Sequence, residues 1–144
     1  MTKILFAVFA AAAGVASVVQ SAANAGLASR IGLGSALVVN TVIVLLGTFV
    51  VYFAEGSHRS PFSSDVPWSL YVGGVCGFVF VLSLAFVFPR IGGAVAIALV
   101  VLGQGAAALA IDHFGLLGMP QEPVTALRIA GLILVGSGVL LIRA

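Results

Sequence analysis

The sequence predicts an all-α fold, a polytopic transmembrane helix bundle that crosses the bilayer about five times. Composition points there first: 62% of the residues are hydrophobic and 7% are charged, whereas a soluble domain carries roughly a quarter charged residues to cover its surface. With a mean hydropathy of +1.29, the chain lacks the polar groups to face water on all sides, so lipid must cover it. Segmentation points there second. The apolar stretches run to about 20 residues, the length a helix needs to cross the hydrocarbon core, and none alternates polar and apolar residues as barrel strands do.

The spans are expected over residues 4–23, 35–54, 68–88, 91–111 and 124–142, within a single transmembrane domain covering residues 1–144. Near the N-terminus, Lys3, the apolar stretch Ile4 to Ala16 and the small residues Ala23-Asn24-Ala25 imitate a signal peptide and its cleavage site. The apolar run is nevertheless long enough to span, and it is read as a retained helix starting at Met1 or Thr2. The second span follows a short connection containing Arg30-Ile31-Gly32. The longest connection, Glu55 to Pro67, is polar and holds Ser57, Ser60, Ser63 and Ser64. Trp68 and Tyr71 follow it, where an aromatic belt belongs. Pro89-Arg90 predicts an abrupt turn, and Gly115 to Pro123 a longer one. No connection is long enough to fold as a soluble domain. Glycines at 73, 74 and 77, at 92 and 93, and at 131, 136 and 138 suit close helix contacts in lipid.

Several function classes fall away. Six Lys/Arg against four Asp/Glu make the chain formally basic. They form no basic stretch interleaved with aromatic residues, so nucleic acid is not an expected partner. Cys76 stands alone as a small apolar side chain expected to be buried, and no disulfide is possible within the chain. His58 and His113 have no ligand-forming neighbours at metal spacing, so neither metal nor cofactor is expected. No nucleophile–base pair or phosphate-cradling loop is visible, and an enzyme is not expected.

Five crossings put the termini on opposite faces. Lys3, Arg59 and Arg128 fall on one face and Arg30, Arg90 and Arg143 on the other, while Glu55, Asp65, Asp112 and Glu122 all share the N-terminal face. Orientation follows an excess of Lys/Arg on the cytoplasmic side; here that excess is zero. One reading is insertion in both orientations and pairing as an inverted homodimer. The plainer reading is an ordinary weak bias.

Polar side chains at membrane depth are costly unless paired or facing a cavity, so each is a candidate for function. Gln104, flanked by Gly103 and Gly105, offers an amide where the glycines leave room for a ligand or a partner helix. Asp112 ends the same helix within a quarter turn of the Gln104 face. Gln20 and Asn24, four apart, share a face that Ser17 and Ser21 extend. Asn40 and Thr41 add polarity well inside the second span. For all of these the competing role is an interhelical hydrogen bond that holds the bundle, or a solvated helix end for Asp112. No span carries an acid or a base near its centre, where either would cost about 2.5–3.5 kcal/mol. Exchange through a deep carboxylate is therefore not expected.

With these residues in view, the chain resembles the small five-helix, YdcZ-type inner-membrane proteins of the bacterial drug/metabolite transporter superfamily. The matching pieces are Gln20-x-x-x-Asn24-x-x-Leu27-Ala28, Pro67-Trp68-x-x-Tyr71-x-Gly73-Gly74-x-x-Gly77, Pro89-Arg90-Ile91-Gly92, Gly103-Gln104, Asp112-His113-Phe114-Gly115, and Gly131 through Gly138. The resemblance implies a multi-pass protein of the bacterial inner membrane whose bundle is one half of a drug/metabolite transporter, exporting a small molecule. It also implies that ten-helix relatives are made of two such halves; an odd unit repeated in tandem is inverted, and inverted repeats place substrate sites at their interface. A free five-helix chain would then need a second copy or a similar chain. The glutamate of the first helix in four-helix multidrug exporters is absent, so their proton-coupled mechanism does not carry over. The expected substrate contacts are Gln104, Asp112, Gln20, Asn24 and Asn40. The competing readings are a non-transporting assembly or regulatory subunit and a passive channel.

Overall fold

In lipid every backbone N–H and C=O must find its partner within the protein, which leaves helices as the spanning element for such a chain. The computed structural model describes residues 2–56, 60–63 and 66–143, and five α-helices account for most of them: α1 (Thr2–Ile31), α2 (Leu33–Ala54), α3 (Val72–Ile91), α4 (Gly93–Phe114) and α5 (Ala126–Arg143). The first four are long and apolar enough to cross a membrane. At 18 residues, α5 is about 27 Å long, just under the hydrocarbon thickness of about 30 Å. Ser57, His58, Arg59, Ser64 and Asp65, which bear on the connection and the charge count, lie outside the described residues. The chain divides into two compact units, Met1–Pro89 and Arg90–Ala144.

In the first unit α1 packs on α2. The helix α1 does not stop at Ala23 but continues through Arg30 to Ile31, so its 30 residues reach about 45 Å, well beyond one hydrocarbon core. Between Ala25 and Ser29 the poorest helix former is Gly26, and a single glycine beside Ala25, Leu27 and Ala28 weakens a helix without ending it. Hydroxyls along it turn back on their own helix: Ser21 donates to the Ser17 carbonyl at 2.7 Å and Ser29 to the Gly26 carbonyl at 2.8 Å, which spares them an unpaired polar group in lipid. The break is Gly32 alone, at φ 87° and ψ 152°, a region of backbone space that is essentially restricted to glycine. The Gly32 N–H still donates to the Ala28 carbonyl and the Gly32 carbonyl accepts from the Ala36 N–H, so the residue that redirects the chain keeps both of its own backbone hydrogen bonds. Beyond α2, the Tyr71 hydroxyl accepts from the Ser63 N–H at 3.2 Å and its ring stacks on Phe62, tying the connection to a 3-10 turn (Trp68–Tyr71) that leads into α3.

The second break repeats the first. Pro89 and Arg90 lie inside the last turn of α3 rather than forming a turn of their own. The turn is Gly92, at φ 82° and ψ 149°, with Ala96 donating to its carbonyl as Ala36 does to that of Gly32. The sequence repeats as well: Arg30-Ile31-Gly32 recurs as Arg90-Ile91-Gly92. Burial recurs at the same offset, with Asn24 matched by Leu84, Ala25 by Ala85 and Ala36 by Ala96, all buried.

In the second unit α4 packs on α5. An α-carbon substituent at Gly105 would come within 2.9 Å of Leu132 Cδ1, so α5 fills the space that this glycine leaves. Gly115 caps α4 in the left-handed conformation. Thr125 caps α5, its hydroxyl accepting from the Arg128 N–H at 3.3 Å, so the helix proper begins at Ala126. Large apolar side chains are exposed along most of the chain, among them Leu127 at 83% and Leu141 at 78%, a surface tenable in lipid and untenable in water. Cys76, expected to be buried, is exposed on α3.

A candidate substrate groove and a charged cluster

The i and i+4 spacing of Gln20 and Asn24 sets both amides on the face of α1 that meets α2. Both donate to one atom: Gln20 Nε2 and Asn24 Nδ2 each lie 3.1 Å from Asn40 Oδ1. Asn24 is nearly sealed, at 7% exposure, beside the buried Ser21; Gln20 and Asn40 are half-buried. Beside this pairing lies a half-open groove of about 360 Å³ within the first unit, bordered by Gln20, Asn40 and Thr41 on one side and by Gly74, Gly77 and Phe78 of α3 on the other. Three of the five expected contacts are thus brought together, and Gln20 and Asn40 line the groove directly. Thr41 was legible as a polar residue at depth. The part played by Gly74 and Gly77 was not, since their spacing reads equally well as helix packing.

Gln104 and Asp112 do not share a site. Asp112 lines a second, more open groove of about 380 Å³ within the second unit, together with Gly105, Leu109, Arg128 and Leu132. Gln104 is exposed on α4 and has no hydrogen-bond partner among the described residues. The quarter turn between them on the helix is enough to place Asp112 on the α5-facing side and Gln104 off it.

Asp112 belongs to a charged cluster. Arg128 Nη1 lies 3.6 Å from Asp112 Oδ2, and Arg128 Nη2 is in close contact with Glu122. Arg128 Nη1 is a buried atom with no hydrogen-bond partner among the described residues. The connection between α4 and α5 folds back onto this end: the Glu122 N–H donates to the Asp112 carbonyl at 2.8 Å, Gln121 to the His113 carbonyl at 3.0 Å, and the Val124 N–H to His113 Nδ1 at 3.3 Å. The His and the two acids therefore anchor a connection at the end of α4. The basic side chain of Arg128 is committed to that anchor.

Apolar helices of spanning length, with amides gathered beside a half-open groove, define a multi-pass membrane protein. Residues 5–141 match the family described as "Putative inner membrane exporter, YdcZ". The match covers nearly the whole chain, and the protein belongs to this family; it is a multi-pass protein of the inner membrane. No curated protein and no solved structure matches the chain significantly.

Proposed function

We propose that the chain is one half of a small-molecule exporter, completed by a second copy or a similar chain, with Gln20, Asn24 and Asn40 at its substrate contact. The observation that carries this reading is the half-open groove beside the amide pairing. A groove holding polar tips among apolar walls has the make-up of a small-molecule site, and membership of an exporter family supplies the direction. Gln104 is the candidate contact on the other unit, because an exposed amide with no partner among the described residues, in an apolar helix, calls for a partner chain or a ligand. Asp112 would act at the rim, where it already faces Arg128.

A second reading has its own observation. The amide hydrogen bonds join α1 to α2, as they would in a subunit that only assembles. The internal repeat weighs against that reading: Leu84 occupies the position matching Asn24, and Val100 the one matching Asn40, yet the glycine takes the same conformation, and Ala85 and Ala96 are buried as Ala25 and Ala36 are. The break does not need amides. Proteoliposomes holding the purified chain and loaded with a small-molecule cell extract separate the readings. The exporter loses at least one component faster than protein-free liposomes do; a non-transporting subunit loses none.

A further inference from the structure

We propose that the groove of the first unit takes an uncharged molecule with an apolar body and a head that both donates and accepts hydrogen bonds, and that Gly74 and Gly77 set its width. This rests on the reading of the groove as the substrate contact. Its border residues, among them Leu37, Val44 and Val81 beside the polar tips, include no ionisable side chain. A charged head entering it would exchange water for dipoles with no counter-ion, and an uncompensated charge in such surroundings is costly.

The polar atoms match a neutral head. Asn40 Oδ1 accepts from both neighbours at 3.1 Å, which occupies its two lone pairs. That leaves Gln20 Oε1 as an acceptor, the second Gln20 N–H and the Asn40 Nδ2 group as donors, and the Thr41 hydroxyl as either. A primary amide or a hydroxyl satisfies such a mixed face. An ammonium would meet the Asn40 donor, and a carboxylate would meet the Gln20 acceptor.

The glycines set the width for a different reason from Gly105. A methyl group at Gly105 would collide with Leu132, whereas one at Gly74 or Gly77 meets nothing within 4 Å. Neither of these two is kept small by a neighbour. Both border the groove, so a side chain at either would take up groove space while leaving the helix packing unchanged.

Octanamide, octylammonium and octanoate share one apolar body and differ in the charge of the head. Each is titrated into the full-length chain in nanodiscs, with the side-chain amides of Gln20, Asn24 and Asn40 followed by nuclear magnetic resonance. Octanamide should shift them saturably with a Kd about tenfold below that of either ion. Gly77→Val should weaken octanamide by a similar factor with an unchanged backbone spectrum, and Gly77→Ala by less. An ion that binds as tightly as the amide overturns the proposed ligand class. Undiminished octanamide binding by a folded Gly77→Val chain overturns the role of the glycines. If no probe moves any of the three amides, the substrate-groove reading itself fails, and the inference with it.

Discussion

At the scale of single residues, the amides of the spans separate into those with a partner and one with none among the described residues. Asn40 serves two donors across a helix interface, whereas Gln104 stands exposed on α4. This contrast makes Gln104→Leu informative. Leucine suits lipid and has a similar volume, so insertion should stay near normal. If Gln104 contacts substrate, transport should collapse while dimer stability, measured on the same preparation, is unchanged. If it bonds a partner helix, dimers should weaken by about 1 kcal/mol and each remaining dimer should transport normally. That second outcome would remove Gln104 from the substrate contacts. Periodicity alone placed Gln20 and Asn24 on one face, because i and i+4 are neighbours on any helix. It could not show that Asn40 is their shared acceptor, which is a tertiary fact. Nor could it show on which side of α4 the helix α5 packs, and that side decides the different surroundings of Gln104 and Asp112.

At the scale of elements, the helices were legible and their ends were not. Apolar runs mark where a span must exist. Arg30, Pro89 and Arg90 look like connection residues, yet all three lie in last turns, and the chain redirects at Gly32 and Gly92. The repeat of Arg-Ile-Gly was open to inspection in the sequence; only the shared positive φ gives it a physical meaning. Alanine at either glycine must adopt that conformation, at a cost on the order of 1–3 kcal/mol. Gly32→Ala and Gly92→Ala should therefore destabilise the chain by similar amounts in a denaturant titration. Because a substituent at either site meets no atom within 4 Å, the loss measures backbone strain alone. Alanine tolerated at one site and not at the other would show that the two breaks are not equivalent.

At the scale of the whole molecule, the proposed pairing of two chains turns on how each chain inserts. The tie in Lys/Arg between the two faces sets no orientation, and insertion both ways with an inverted pair stands beside an ordinary weak bias. Under dual insertion, reporter fusions after Ala144 should give signal on both sides of the membrane, and a single orientation above about 90% rejects dual insertion. Two lysines added between Glu55 and Pro67 should hold that connection in the cytoplasm and abolish function if one orientation cannot pair with itself. Activity in the locked variant would count against the inverted dimer. The central claim, that the amide-bordered groove handles an exported molecule, has a more direct test. Cells expressing the wild-type chain or Asn40→Leu are brought to equal membrane levels, and the small molecules in their media are compared. The account predicts at least one compound that accumulates outside with the wild type and stays at background with Asn40→Leu. Equal accumulation with both chains would contradict it.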